Sequence, residues 1–389
     1  MNYREIKQRL KADGAAKTCQ HVKEALEQGH LKADDFTSFR GLFEATVPDG
    51  REALEYYHPR HRGSFGYQEA GDAIDTSVFS NISGQVVYNK ILEASKSPQL
   101  VLSQLIKSIP SNLRSERIAG ITGLGDAAES IAEGAEYPRA GVGEDYVDTP
   151  LTDKKGFTVA VTKEAVLFDR VGDVLNQAAR VGEFLAINKE KRLADMIGDV
   201  NSTKHRYKWK GTSYANYASS GGHGAVNLKT SNGLVDWTDI DNALQLLNNM
   251  LDPWTGEPML LMANTILVCP ELEATAKRIL NATEIRFHDG ASQTSQTLSA
   301  NPVAGAYGLV SSTFLRSRLS AASEATTNWY LGDFSKAFGY MENWPITVVQ
   351  APSNSHNDFH RDIVAEYKAS EMGAAVVLEP RAVIKNTVA

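Results

Sequence analysis

Only two cysteines occur in the 389 residues, Cys19 and Cys269, far apart and without a CxxC partner. A disulfide framework or a thiolate zinc site needs residues that this chain does not have, so two free thiols in a reducing compartment are expected. Long apolar runs are absent too: nothing approaches the roughly 18 consecutive apolar residues of a membrane span. The first residues, MNYREIKQRLKADG, are charged and helical where a secretory signal needs an apolar stretch. No membrane partner and no export by a standard signal are therefore expected. Net positive charge is also lacking. A formal charge of -7 argues against a general nucleic-acid binder, whose affinity comes largely from neutralising phosphates, although local basic patches remain compatible with it.

The motifs that carry chemistry are missing or incomplete. There is no GxxxxGK[ST] phosphate loop and no GxSxG elbow. His356 and His360 in HNDFH have ligand spacing but lack the general-base Glu of HExxH, and Pro352 with two nearby asparagines favours a loop. His58 and His61 stand in YYHPRHR, where two arginines repel a cation. Gly123 to Ala128 imitates a dinucleotide fingerprint, but ERIAGIT before it is a poor buried strand and an acidic stretch follows where a βαβ unit should continue. Glu271 and Glu273 fit helix N-terminal charges better than a hydrolytic dyad. No catalytic residue, metal site or cofactor is expected.

What is present is apolar material for a large core, 42% of residues, with 22% charged. Up to about residue 60 the pattern predicts short polar helices, Tyr3 to Ala12, Lys17 to Gln28 and Asp35 to Thr46, forming an appendage more than a core. Arg51 to Ser83, rich in aromatics and glycine, reads as an extended arm, and helical spacing returns from Val86 to Ile109. Gly125 to Lys155 is acidic, with Pro138 and a Gly141-Val142-Gly143 turn midway, which predicts a long two-stranded excursion. Such a hairpin is marginal alone in water and needs another surface to lie on.

The stretch GFTVAVTKEAVLFDR, residues 156 to 170, begins as a strand with Phe157, Val159 and Val161 on one face and runs into a helix. Gly172 is expected to divide a short piece, Lys163 to Arg170, from a longer helix, Asp173 to about Gly198, spanning roughly 39 Å. Its apolar stripe, Leu175, Ala178, Gly182, Leu185, Ala186, Leu193, Met196 and Ile197, follows the helical period, and Gly182 within it permits close backbone approach. Beyond a polar loop, Asn201 to Gly233, Thr238 is expected to cap a helix and MLLMANTILV to form a buried strand. Pro270 opens a helix, and His288 to Ser299 reads as loop. Strands are expected at Tyr307 to Leu315, Trp329 to Leu331 and Ile346 to Val349, followed by closing strands that rejoin the first body. One stretch has a charge pattern of its own: KHRYKWKG alternates Lys204, Arg206, Lys208 and Lys210 with His205, Tyr207 and Trp209. On a strand the cations share one face, an arrangement that holds polyanion or an acidic protein surface.

Taken together, GFTVAVTKEAVLFDR, the helix LNQAARVGEFLAINKEKRLADMIGD, the block NPVAGAYGLVSSTFL, WYLGD and the closing GAAVVLEPRAVI resemble the major capsid protein of tailed bacteriophages, the Hong Kong 97-like α+β fold. The stretch from ILVCPELEATAKRIL through NWYLGD is similar to Mu-type head subunits. The resemblance implies an N-terminal appendage (1–60), an arm and the start of a peripheral domain (61–124), an extended loop (125–155), a peripheral domain with a spine helix (156–235), an axial domain (236–352) and C-terminal peripheral strands (353–389). It further implies a shell of hexamers and pentamers around double-stranded DNA, in a virion capsid assembled in the host cytoplasm. Partners are then other copies of the chain, a portal, scaffold or decoration proteins where the particle uses them, and packaged DNA bound without sequence preference. Glu133, Glu136, Tyr137, Arg139 and Glu144 of the loop become inter-subunit contacts, and Lys204, Arg206, Lys208 and Lys210 contacts to polyanion or a neighbour. Lys154 and Lys155 lie at the base of the loop and not its tip, so a covalent crosslink is not expected, and the N-terminal helices are expected to stay in the mature shell. The alternative is an encapsulin-like compartment enclosing enzyme cargo; an α+β enzyme is the third reading.

Overall fold

The computed structural model of the chain describes residues 3–32, 35–36, 38–47, 69–97, 100–119, 131, 133, 136, 146–162, 168–200, 206–220, 226–252, 256–288, 296–319, 323–351 and 363–388. The first half contains α1 (Tyr3–Glu27), α2 (Phe39–Thr46), α3 (Glu69–Ser95), α4 (Leu102–Leu105), β1 (Lys107–Pro110), β2 (Arg117–Ala119), β3 (Tyr146–Asp148), β4 (Asp153–Thr162) and α5 (Val171–Gly198). There follow β5 (Tyr207–Trp209), β6 (Thr212–Tyr214), β7 (Leu228–Lys229), α6 (Trp237–Asn248), β8 (Thr265–Val268), α7 (Pro270–Asn281), β9 (Glu284–His288), β10 (Gln296–Ala300) and β11 (Gly308–Ser311). The chain closes with α8 (Thr313–Arg318), α9 (Glu324–Thr327), β12 (Trp329–Gly332), α10 (Phe334–Ala337), β13 (Phe338–Gln350), β14 (Ile363–Val377) and β15 (Val383–Asn386). One compact unit gathers Met1–Ser97, Lys154–Ile187 and Trp344–Met372; the other holds Pro98–Asp153, Asn188–Asn343 and Gly373–Ala389. The division falls inside α5, β13 and β14.

In the first unit the N-terminal helices are core, which corrects the appendage expectation. Ile6, Val22, Leu26, Phe39, Leu42 and Phe43 are buried in one cluster with Phe79, Ile82 and Ile91 of α3, Val159 and Val161 of β4, and Leu175, Ala178 and Leu185 of α5. Phe39 and Phe43 meet Phe79 edge to face, at centroid distances of 6.3 and 5.3 Å, the arrangement ring quadrupoles favour. Gly14 breaks α1 with φ 81 and ψ 170, where the sequence separates two short helices. Helix α3 starts at Glu69, so residues 69–83 are helical and not an extended arm. Val78, Ile82, Val86 and Val87 repeat at helical spacing and are buried, whereas residues 51–68 lie outside the described residues. Ser83 on α3 shares a 2.7 Å hydrogen bond with the Tyr367 hydroxyl of β14.

Gly182 does what its place in the stripe predicts. A Cβ there would lie 2.2 Å from the backbone carbonyl oxygen of Ile91, so α5 approaches the α3 backbone at a distance only glycine permits. Helix α5 itself begins at Val171 and contains Gly172; of the shorter piece expected before it, residues 163–167 lie outside the described residues.

In the second unit a five-stranded sheet runs β11-β8-β12-β15-β7. Strand alternation divides its residues between two faces. Ile266, Val268, Trp329, Leu331 and Ile384 pack with Ile240 and Leu247 of α6 and Ile279 of α7. On the other side Leu267 and Tyr330 join Leu193, Met196 and Ile197 of α5. Several expectations are corrected here. Asp236, not Thr238, caps α6, in a capping box with Asp239. The strand in MLLMANTILV is only Thr265–Val268, and Leu260 and Met262 before it are 94% and 76% exposed. Strand β11 ends at Ser311, where Ser312 caps α8. Of the segment read as loop from His288 to Ser299, His288 and Gln296 to Ser299 are strand, in an antiparallel β9–β10 pair with Gln296 opposite His288 and Ala300 opposite Glu284, while residues 289–295 lie outside the described residues. The closing strands divide between the units: Ile363 to Met372 belongs to the first, and β15 joins β12 and β7 in the second.

Gly182→Ala tests the close approach. In an exposed helix this change stabilises by about 1 kcal/mol through propensity; at Gly182 it forces α5 away from Ile91, and a destabilisation of about 1–3 kcal/mol is expected by denaturant titration. Gly172→Ala, where an added Cβ meets nothing within 4 Å, should be neutral or stabilising. Stabilisation at both sites would show that the helices are not in contact at Gly182.

Candidate assembly interface

The base of the acidic excursion is described, and it rests on the basic stretch. Strands β2 and β3 pair antiparallel, with Arg117 opposite Asp148 and Ala119 opposite Tyr146. Arg117 bonds Asp148 at 3.2 Å and lies over the Tyr146 ring at 4.6 Å. Strand β3 then pairs with β5 through Val147 and Trp209, and β5 with β6, giving a four-stranded sheet β2-β3-β5-β6. The Lys210 amide donates to the Tyr146 carbonyl at 3.2 Å. KHRYKWKG is thus partly the platform on which the excursion's return strand lies in its own subunit.

Within that platform the strand covers Tyr207–Trp209 alone. Tyr207 is buried, Lys208 and Arg206 are exposed, and Trp209 is half-buried. Lys210 leaves the strand, because its φ of 46 turns the chain, and its ammonium stands 5.2 Å from the Trp209 ring centroid. Lys204 lies outside the described residues. Of the proposed loop contacts, Glu133 and Glu136 are exposed, while Tyr137, Arg139 and Glu144 lie outside the described residues.

The platform is fastened to the end of α5 by side chains that sequence reasoning missed. A helix leaves its last four carbonyls without helical partners; here each has one. Asp195 O accepts from Val200 N–H at 3.1 Å, and Met196 O from the Asn216 amide at 3.0 Å. Ile197 O accepts from the Tyr217 hydroxyl at 2.9 Å, and Gly198 O from the Lys385 ammonium at 3.2 Å. Asn216 is fully buried, and its carbonyl accepts from the Tyr207 amide of β5 at 2.9 Å, so one side chain joins helix to platform. Asn227, equally buried, donates to the carbonyls of Asn216 and Pro380, both at 2.9 Å, and accepts from Ala218 N–H.

The electrostatics follow from burial. Desolvation lowers the Lys385 pKa, partly offset by Glu324 and Asp199, and raises that of Asp199, offset by Lys385 and Arg206. Higher on α5, the fully buried Glu190 accepts the amides of Leu102 at 2.5 Å and Ser103 at 3.1 Å, holding α4, and burial raises its pKa against those hydrogen bonds. Asp195 takes the Arg318 guanidinium bidentately, at 2.5 and 2.8 Å. These groups engage one another and orient elements. Among the described residues no group of three or more histidine, cysteine, aspartate or glutamate side chains is placed to hold a metal ion, and no helix is long and apolar enough to cross a membrane.

Against known proteins, residues 147–386 match the family model described as Phage capsid protein. That match takes in most of β3, helix α5, the platform and the five-stranded sheet, and the chain belongs to the phage capsid protein family. The Hong Kong 97-like α+β expectation for the fold stands with that membership. Similar solved structures include one of Mycobacterium phage Ogopogo, at 15% identity over 86% of this chain and 98% of that one, with a TM-score of 0.42. One of Gordonia phage Cozz matches at 15% identity over 75% and 87%, with a TM-score of 0.40. The holo-SrpI encapsulin complex from Synechococcus elongatus matches at 14% identity over 75% and 87%, with a TM-score of 0.41. No curated protein sequence matches the chain.

Asn216→Ala removes the link between α5 and β5, leaving the Tyr207 amide and one bond to Met196 O unmade. A loss of about 2–4 kcal/mol is expected from buried groups left unsatisfied. Asn216→Asp, which still accepts from Tyr207 but cannot donate to Met196 O, should lose less than Ala if acceptance dominates. Wild-type stability in both variants would remove Asn216 from the structural account.

Proposed function

We propose that this phage capsid protein is the major subunit of an icosahedral head, assembling into hexamers and pentamers around double-stranded DNA. The observation that carries the reading is the match of residues 147–386 to the capsid family, over the elements that build the stiff helix and the platform of the excursion. A shell subunit must keep its shape under load from its contents. A long helix held at backbone contact with α3 and fully capped at its far end supports that role.

In this reading residues 125–155 are the extended loop, 156–235 and 353–389 the peripheral domain, and 236–352 the axial domain. Interfaces are heterologous, and rotation closes the rings. Glu133, Glu136, Tyr137, Arg139 and Glu144 contact a neighbouring subunit, and Lys204, Arg206, Lys208 and Lys210 offer it cations or meet polyanion. The subunit performs no catalysis. It is assembled in the host cytoplasm and takes a portal among its partners.

Electron microscopy of the purified full chain tests the proposal: closed thin-walled shells are expected, and only small open oligomers would overturn it. Particles from the producing host should hold nuclease-protected DNA; a defined protein cargo in its place would favour an encapsulin-like compartment. A second test replaces Lys204, Arg206, Lys208 and Lys210 with Gln. Failure to form shells is expected if these cations meet a neighbour's acidic loop, whereas normal shells with altered DNA retention would assign them to the genome. Normal assembly and retention would leave the cations as a solvated face.

A further inference from the structure

The corner at which α5 ends is built around a residue that works against it. Asp199 adopts φ 55, in the left-handed region; its amide donates to Met196 O at 3.3 Å, and Val200 N–H donates to Asp195 O at 3.1 Å. In a helix-ending turn with these two bonds the left-handed position ordinarily falls to glycine, because a side chain there costs backbone energy. The carboxylate adds a second cost, since a negative charge at a helix C-terminus opposes the dipole. Burial adds a third: Oδ1 is shielded from solvent and makes no hydrogen bond among the described residues.

Three other described non-glycine residues share the left-handed backbone, and none combines these features. Asp169 and Ser231 are exposed, and Lys210 extends over the Trp209 ring. Among the described residues, no other buried carboxylate oxygen lacks a hydrogen bond. Strained residues persist only where the surrounding structure holds them, and they cluster at positions that change state.

Several elements hold Asp199. The backbone amide of Asn216 donates to the carboxylate, and the Lys385 ammonium on β15 and the Arg206 guanidinium supply opposite charge. The Tyr217 ring centroid lies 5.6 Å from the Lys385 ammonium, and Tyr330 on β12, opposite Lys385 in the sheet, is fully buried with its hydroxyl unpartnered among the described residues. Glu324 of α9 faces both Lys385 and Tyr330, and Cys269, just before α7, faces Tyr330. Burial outweighs the attractions, so the Asp199 carboxyl takes up a proton more readily here than in an unfolded chain. The stability it contributes is therefore full below the ordinary aspartate pKa and is lost as pH rises through the raised one, which leaves the corner weakest at neutral pH.

We propose that Asp199 is a proton-operated control on the cap of α5: charged, it holds the cap short of its attainable stability; neutral, it lets the clasp of Lys385, Asn216 and Tyr217 close fully. Three chain segments meet at that clasp, so one proton adjusts how firmly α5, the platform and the C-terminal strand hold together. The control lies within one chain and operates whether or not that chain encloses DNA.

The test follows amide hydrogen exchange in the full chain, native and as Asp199→Asn and Asp199→Gly, at mildly acidic and at neutral pH, with intrinsic exchange rates divided out. Asparagine removes the charge and still tolerates the left-handed backbone; glycine removes the backbone cost as well. The amides that close the clasp are those of Val200, Tyr207 and Lys385. At neutral pH both variants should protect them about 5-fold or more beyond the native chain, the size expected when one unsatisfied buried group is relieved. At mildly acidic pH the native chain should gain protection and approach Asp199→Asn. Amides beside Gly182, in the middle of α5, are the internal reference and should not respond. Lower protection in Asp199→Asn at neutral pH overturns the proposal, because attraction to Lys385 and Arg206 would then be the stronger effect. A difference between native chain and Asp199→Asn that is the same at both pH values overturns it as well. A gain in Asp199→Gly alone would reduce the feature to backbone strain and remove the proton from it.

Discussion

The last four carbonyls of α5 are the constraint on which the second unit is organised. A helix that ends inside a folded body must have those oxygens satisfied without water, and an unmade hydrogen bond there costs on the order of 1–3 kcal/mol. In this chain the partners come from places far apart in sequence: Val200 and Asp199 just past the helix, Asn216 and Tyr217 from the following loop, and Lys385 from the final strand. Satisfying the helix therefore brings the C-terminal strand and the platform hairpin to one point. Lys385 donates its own amide to Asn227 O at 2.9 Å, and Asn227 holds Asn216. The cap is a closed circuit of hydrogen bonds.

Stiffness along the rest of α5 comes from different physics. In the first unit it is steric, with Gly182 allowing backbone contact with Ile91 and Leu175, Ala178 and Leu185 filling the core around it. In the second it is ionic and polar: Glu190 holds α4, and Asp195 holds Arg318. Glu190 is fully buried, and the groups that offset its burial are the amides of Leu102 and Ser103, as at a helix N-terminus. Such an arrangement tolerates little change at the amides of Leu102 and Ser103.

The sequence made α5 legible because 28 residues with a sustained stripe leave little room for another period, and it made Gly182 legible because a glycine inside such a stripe has few uses other than close approach. The fused N-terminal core was not legible. Short helices such as α2 show only a few apolar positions, and nothing local says whether those meet solvent or α3. The capping residues were invisible for another reason: Asn216, Tyr217 and Asn227 look like polar loop, and their role exists only where the loop folds back on the helix end. The cap of α6 was misplaced by two residues because Asp236 and Thr238 are both good caps, and Thr238 donates its hydroxyl to Asp236 at 2.5 Å. The position of KHRYKWKG against the excursion base was likewise a long-range pairing that alternation alone does not reveal.

Strands β2 and β3 pair Arg117–Ala119 with Tyr146–Asp148. One ion pair and one cation–ring contact, both of Arg117, support this short ladder, and contacts of that kind at an exposed side chain contribute little. The sequence between the two strands is acidic, with Glu129, Glu133, Glu136, Glu144 and Asp145 against Arg139, and like charges so concentrated repel one another. The ladder therefore depends on what it rests against. Strand β3 is tied through Trp209 and Lys210 to the platform, and the platform through Tyr207 and Asn216 to α5. The placement of β3 is thereby set by the same buried asparagine that caps α5.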